Sequence, residues 1–257
     1  MNRDLQGEQI VITGGSRGLG LAMVETLLER GARITVIARN VAELKDVSRL
    51  GAATIAGDAT DADLMNTVVA DVKPSVLILN AGATPYMAPI DEQNWETFSS
   101  IWNSDVKAGL YGIQAALKTP LPAGSRVLIA SSGAAFVNSP KIVRGLRLSG
   151  GYTGAKRTLW LMAHFANSLS EERNLGIRFQ VLVPLQMVGN TRFLQHVAGA
   201  YARREGISIE AHLEARYGEP FSECEYARQV VALLSDERYS EGTAFGFRSH
   251  SETVLLD

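Results

Sequence analysis

Gln9-Ile10-Val11-Ile12-Thr13-Gly14-Gly15-Ser16-Arg17-Gly18-Leu19-Gly20 is the stretch that decides the fold of this chain. Five residues of buried-strand character (QIVIT) run into a glycine-rich turn, and from Leu19 to Arg30 apolar residues recur at helical spacing. Glycines at a strand-to-helix turn let the backbone approach a pyrophosphate, which then rests on the helix N-terminus. The spacing is GxxxGxG (Gly14, Gly18, Gly20) rather than the commoner GxGxxG. Glycine also simply closes tight turns. Here the turn joins a first strand to a first helix, so it predicts a dinucleotide site that includes Ser16, Arg17 and Leu19.

The same alternation continues outward. Arg33–Ala38 is a second strand and Val41–Leu50 a short helix; Ala53–Ala56 is a third strand, Asp61–Val72 a helix and Ser75–Leu79 a fourth strand. One long helix is predicted over Asn94–Lys118, followed by the strand Arg126–Ala130. A helix carrying Tyr152 and Lys156 then runs to about Glu172, and Arg178–Val183 is another strand. Continuous apolar strands separated by helices indicate a parallel sheet covered on both faces. No linker interrupts the rhythm, so residues 1–257 read as one doubly wound α/β domain. Residues 189–220, rich in Ala, Arg and Glu, break the pattern and look helical, before a last helix near Glu225–Ser235.

Composition narrows the function. There are 25 Lys and Arg against 27 Asp and Glu, a net charge of −2 with no basic block, so nucleic acid and anionic membranes have no electrostatic support as partners. Cys224 is the single cysteine, which rules out an internal disulfide and fits a reducing compartment. No apolar signal core or bilayer-length apolar run is visible, and a cytoplasmic location is expected. His164, His196, His212 and His250 have no metal-ligand spacing, and no metal is expected. Trp95, Trp102 and Trp160 read as packing or interface residues.

The cofactor choice turns on Ala38-Arg39-Asn40. An NAD site usually offers an acid at the end of the second strand, whereas an Arg accommodates a 2′-phosphate. There is no acid here; Arg39 is present, and Arg17 supplies a second guanidinium, so NADP is expected over NAD. In Gly57-Asp58-Ala59, Asp58 can accept from the adenine amino group or simply shape a turn.

Tyr152-Thr153-Gly154-Ala155-Lys156 places a phenol and an ammonium one helical turn apart on the same face. The positive charge favours the phenolate, so the pair forms a proton donor and acceptor suited to a carbonyl or an alcohol. Taken with the glycine turn, Asn80-Ala81-Gly82 and Ser131-Ser132, this motif makes the chain resemble the short-chain dehydrogenase/reductase family over nearly its whole length.

The resemblance implies a Rossmann-like fold with a seven-stranded parallel sheet, NAD(P)-dependent oxidoreduction and a homodimer or homotetramer. It makes Tyr152 the general acid/base and gives Lys156 the nicotinamide ribose. Ser132, with Ser131 as alternate, would hold the substrate oxygen, and Asn80 would stand near the cofactor with Ala81 and Gly82. It also draws Ala59, Pro184 and Thr191 to the cofactor and makes residues 190–219 a lid over the substrate. The lid's Phe193, Leu194, Val197, Tyr201, Leu213 and Tyr217 suggest a moderately hydrophobic ligand or form the lid's own core.

The chain departs from the family pattern in several places. Ser132 and Tyr152 stand 20 residues apart where about a dozen is usual, and the surplus falls in Asn138–Gly151. In that loop Arg144 and Arg147 can bind an acidic substrate or a neighbouring subunit, or be solvated. At the helical asparagine of the family's proton relay this chain aligns Asp105, with Asn103 nearby. Pro184-Leu185 replaces Pro-Gly, and Gly242–Asp257 lacks the usual Gly-Gly pair. The expected activity is NADP(H)-dependent interconversion of a carbonyl and an alcohol, as a carbonyl reductase or dehydrogenase. The alternative is a non-catalytic NADP(H)-binding sensor or scaffold.

Overall fold

The computed structural model describes residues 4–136, 145–189, 191–218 and 221–257. Seven strands run parallel: β1 (Gln9–Thr13), β2 (Arg33–Ala38), β3 (Ala53–Ala56), β4 (Val76–Leu79), β5 (Arg126–Ala130), β6 (Arg178–Pro184) and β7 (Ala244–Phe247). The spatial order is β3-β2-β1-β4-β5-β6-β7, with β8 (Val254–Leu255) at the edge. β8 pairs antiparallel with β7, so the sheet has eight strands where the resemblance implied seven. The addition is held from the C-terminus: the Leu256 amide donates to the Ala244 carbonyl at 2.9 Å, and Asp257 Oδ1 accepts from the Ala244 amide at 2.8 Å.

Side chains on successive strand positions go to opposite faces of the sheet. Ile10, Ile12, Val76 and Ile78 meet Met23 and Leu27 of α1 (Gly18–Glu29) and Leu44 of α2 (Val41–Arg49). Val11, Leu77 and Leu79 meet Val69 of α3 (Ala62–Val72) on the other face. Both faces are therefore apolar, which is why the inner strands read as unbroken hydrophobic runs. Each fully buried Ile, Leu or Val contributes roughly 1.5–3 kcal/mol.

The predicted long helix is in fact three pieces. α4 (Trp95–Ile101) and α5 (Lys107–Lys118) are joined by a π-helical segment, Trp102–Val106. Such wide turns inside helices recur at functional sites; this one carries Asp105, which is buried. α6 (Gly150–Glu172) carries Tyr152 and Lys156. After β6, α7 (Arg192–Glu205) and α8 (Ile209–Tyr217) leave the sheet, divided by Gly206 in the left-handed conformation. Val197, Ala200 and Tyr201 pack with Leu148 into a small core of their own. The chain returns through α9 (Glu223–Ser235), which packs with α1. Among the described residues no helix is long and apolar enough to cross a membrane.

At the end of the sheet away from the strand C-termini, a buried arginine opens β5. Arg126 Nε donates to Gln180 Oε1 at 2.7 Å, Nη1 to the Leu233 carbonyl at 2.9 Å and Nη2 to the Tyr239 carbonyl at 3.1 Å, closing the C-terminus of α9 onto the sheet. Arg126→Met keeps the apolar stem but removes these donors, and it should cost about 2–4 kcal/mol in urea unfolding. An unchanged midpoint would show that the cluster contributes nothing.

Candidate active site

The cofactor and catalytic candidates of the sequence gather at one edge of the sheet, because parallel strands all present their C-termini on the same side. Gly14, Ser16, Arg17, Gly18, Leu19, Gly20, Arg39, Asp58, Ala59, Asn80, Ala81, Gly82, Pro184 and Thr191 line a single cleft of about 1060 Å³. Asp105, Ser132, Tyr152 and Lys156 line the same cleft.

At one end the glycine turn is locked to β4. Asn80 Nδ2 donates to the Gly14 carbonyl at 3.1 Å, and Thr13 Oγ1 accepts from the Asn80 and Ala81 amides at 3.1 Å each. Gly14 has φ +69°, and a Cβ on Gly20 would lie 2.1 Å from the Gly14 carbonyl oxygen, so neither position tolerates a side chain. The α1 N-terminus has no side-chain cap and no acid in its first turn. By contrast, Asn40, Asp61, Asn94, Thr191, Ser208 and Ser222 each cap the helix they precede. Uncapped amides at the mouth of a cleft, with glycines clearing the approach, fit an anionic pyrophosphate. Thr191 Oγ1 is engaged with the Leu194 amide at 3.1 Å, while its methyl group approaches Gly18.

The corner beyond β2 holds Arg17 and Arg39, both largely exposed. Arg39 Nη1 lies 3.7 Å from Asp58 Oδ2. Asp58 Oδ1 accepts from the Thr60 amide and hydroxyl, both at 2.9 Å. Asp58 therefore builds a turn, and the Thr60 amide chiefly holds its carboxyl below the ordinary value. A carboxylate not anticipated from the sequence stands in the same corner: Glu43 accepts from Ser16 Oγ at 2.7 Å and lies 3.9 Å from Arg17 Nη1. Asn40 and Glu43 have the spacing of a capping box, a signal that marks a helix start. The Glu43 side chain leaves that role and faces the cleft.

At the other end lie Tyr152, Lys156 and Asp105. Lys156 Nζ sits 2.8 Å from Asp105 Oδ2 and donates to the Ala130 carbonyl at 3.2 Å, with both side chains buried. Asp105 Oδ1 accepts from the Ala83 amide at 2.8 Å and from Ser104 Oγ at 2.9 Å. Asp105, not Asn103, is thus the residue that meets the lysine. The Lys156 ammonium is 5.6 Å from the Tyr152 ring centroid. The two serines divide their tasks: Ser131 Oγ donates to the Lys156 backbone carbonyl at 2.9 Å, while Ser132 Oγ accepts from the Ala134 amide at 3.2 Å and acts on the Tyr152 phenol.

The electrostatics differ from the expectation that Lys156 brings Tyr152 toward neutrality. Burial pushes the phenol up, and Lys156 and then Ser132 pull it down; Asp105 and Tyr217 push it up again, and the balance lies above the ordinary tyrosine value. Burial alone would depress Lys156, but the Asp105 carboxylate and Tyr152 keep it above its ordinary value. A neutral phenol beside a charged lysine can give a proton to an alkoxide-like oxygen, and the phenolate can take one from an alcohol.

Around the opening, Phe193, Leu194, Val197, Tyr201 and Tyr217 line the cleft, whereas Leu213 does not. The Phe193 and Tyr152 rings are 5.5 Å apart. Of the loop arginines, Arg144 lies outside the described residues, and Arg147 Nη2 is 3.6 Å from Glu205. His212 is buried against Glu205 at 2.7 Å, and His196 meets the Pro85 carbonyl at 2.9 Å.

Residues 8–196 match the short chain dehydrogenase family model. Over 169 residues the chain is 31% identical to cis-2,3-dihydrobiphenyl-2,3-diol dehydrogenase of Rhodococcus globerulus, an alignment covering 60% of this chain and 57% of that enzyme, less than two thirds of its length. It is 27% identical over 248 residues to 2,5-dichloro-2,5-cyclohexadiene-1,4-diol dehydrogenase of Sphingobium indicum, covering 91% and 92% of the two chains. A short chain dehydrogenase from Burkholderia cenocepacia J2315, solved in complex with NADP, superimposes with a TM-score of 0.73 at 22% identity, over 95% of this chain and 98% of that one. A Serratia marcescens short-chain dehydrogenase/reductase mutant gives 0.75 at 19%, over 95% and 98%. At these identities the structural likeness speaks for the fold.

Burial is the main cause that raises Tyr152, and Asp105→Asn removes a charge that adds to it. In the alcohol-oxidising direction the phenolate is the active form, so the rising limb of the pH–rate profile should move to lower pH. The reductive direction needs the neutral phenol, and its falling limb should move the same way. Limbs that stay in place would mean Asp105 does not tune the tyrosine.

Proposed function

The chain belongs to the short-chain dehydrogenase family, and from that premise we propose that it is an NADP(H)-dependent oxidoreductase interconverting a ketone or aldehyde and an alcohol. The observation that carries the reading is the convergence of Tyr152, Ser132 and the Lys156–Asp105 pair on the cleft that holds the uncapped glycine turn. A bound nicotinamide dinucleotide would supply or accept the hydride. The amides at Gly18–Gly20 would hold its pyrophosphate, and Lys156 would reach the nicotinamide ribose. Asp58 and Ala59 would lie along the adenine, and Asn80, Ala81, Gly82, Pro184 and Thr191 along the rest of the dinucleotide.

In reduction, Tyr152 gives its hydroxyl proton to the carbonyl oxygen as negative charge develops there. Ser132 donates a hydrogen bond to the same oxygen, a role of the oxyanion-hole kind. Lys156 stabilises the phenolate left behind, and Asp105 keeps the lysine charged and fixed. Oxidation reverses each transfer. Helices α7 and α8 act as the substrate lid.

The preference for NADP rests on Arg39 and Arg17 in a corner with no acid at the end of β2. Glu43 works against it by occupying Ser16 and approaching Arg17. The named relatives that act on ring diols are compatible with an alcohol substrate of apolar body. The exposed Leu110 of α5 and the exposed Leu161 and Phe165, one turn apart on the neighbouring α6, are apolar groups suited to a homodimer or homotetramer.

Fluorescence titration tests the cofactor. Arg39→Asp should weaken NADPH by roughly 10–100-fold, the worth of a charge-assisted contact, and leave NADH little changed. Tyr152→Phe should keep NADPH affinity and lose about a hundred- to ten-thousand-fold in turnover. Full activity in that variant would remove Tyr152 from the mechanism. Binding without turnover of any carbonyl in the wild type would favour the sensor alternative. Light scattering after chromatography should give a dimer or tetramer, and Phe165→Asp should shift it toward monomer; a monomeric wild type would end the oligomer reading.

A further inference from the structure

The substrate end of the cleft carries a cation that the chemistry so far does not use. Arg216 sits in the last turn of α8, beyond residue 196 where the family match ends, and lines the cleft shared by Tyr152 and Ser132. Its guanidinium carbon is 5.9 Å from the Tyr201 ring centroid and 5.7 Å from that of Tyr217, and Nε donates to the Tyr217 hydroxyl at 3.1 Å. It also lies so close to Gly145 that a Cβ there would stand 2.6 Å from Nη2. The group is open to the cleft yet held by two aromatic rings and a glycine that leaves it room.

Among the described residues no carboxylate lies within 4.0 Å of Arg216; Glu205, paired with Arg147 and His212, is its acidic neighbour, near enough for Arg216 to help hold that carboxyl below its ordinary value. With Nε spent on Tyr217, the two Nη groups remain to form the planar fork that matches a carboxylate. Both rings lie within cation–π range and help to hold that fork. Tyr217 connects this cation to the reacting end, since its phenol is near enough to act electrostatically on Tyr152. Phe193 and Tyr201 line the same cleft, the first with its ring 5.5 Å from that of Tyr152 and the second beside Arg216.

We propose that Arg216 anchors a substrate carboxylate, so that the carbonyl or alcohol presented to Tyr152 belongs to an oxo acid or hydroxy acid with an apolar body. The proposal rests on Tyr152 being the reacting centre and adds the substrate class. Arg216 fills the role that the sequence had offered to Arg144 and Arg147 in the loop before α6.

The test compares kcat/KM with NADPH for benzoylformate, benzoylpropionate and benzoylbutyrate against their methyl esters. In the wild type at least one acid should exceed its ester by about 10-fold or more, as one charge-assisted, bidentate contact predicts. Arg216→Ala should lower that acid by roughly 10–100-fold, mainly through KM, and lower the ester much less; Arg216→Lys should recover part of the loss. Equal use of acid and ester by the wild type, or equal loss of both in Arg216→Ala, overturns the proposal. If none of these compounds is reduced although NADPH binds, binding rather than turnover decides on Arg216. In that case benzoylpropionate should raise the Tm of the NADP-loaded wild type and not of Arg216→Ala. No rise in the wild type overturns the carboxylate site as well.

Discussion

Between β1 and β4 the winding of the sheet reverses: one half runs outward through β2 and β3, the other through β5, β6 and β7. Connections from the two halves leave in opposite directions, and a crevice opens where they part. Thr13, Gly14, Asn80 and Ala81 tie its two lips together by hydrogen bonds at 3.1 Å. The site depends on that reversal. Arg39 follows β2, Asp58 follows β3, Asn80 follows β4, Ser132 follows β5 and Pro184 ends β6, so residues far apart in sequence share one cleft.

The second constraint is a buried charge. Removing an ammonium and a carboxylate from water costs several kcal/mol per ion, which their attraction offsets only when the remaining hydrogen-bonding capacity is also used. Lys156 and Asp105 meet that condition, the lysine through the Ala130 carbonyl and the aspartate through the Ala83 amide and Ser104 hydroxyl. The pair therefore joins β5, the loop after β4, the π-helical segment and α6 at one point. It also enters the balance at Tyr152. Burial is the main cause of the raised phenol, and the carboxylate adds to it by cancelling part of the lysine's field. That bias suits proton donation to a carbonyl.

The strands, the order of helices and the family were legible because they rest on local pattern. QIVIT, RITVIA and RVLIA are apolar at every inner position since both faces of the sheet are covered, and the glycines stand where a side chain would collide with backbone. Asp105 was legible as a departure from the family, though not its choice over Asn103. That choice needed the π-helical segment, which no helical periodicity announces because it depends on what the buried face must contact. The start of α2 at Val41 was legible as helical pattern, while the turning of Glu43 toward Ser16 depends on a residue 27 positions away. β8 was missed because a two-residue strand has no period to detect; it forms only because β7 offers a free edge.

By itself the sequence determined the doubly wound parallel sheet, the glycine turn, the Tyr152–Lys156 pair and the family, each fixed by spacing within a few residues or by the run of apolar strands. The tertiary structure alone decided which serine faces the phenol, which acid meets the lysine, and that burial outweighs the lysine at Tyr152. It also decided that Glu43 shares the corner of Arg17 and Arg39 and that Arg216 lines the same cleft as Tyr152. The physical reason is the same in each case. Charge and hydrogen-bonding effects act through space over a few ångströms, and folding brings within that range groups whose sequence separation carries no record of their meeting.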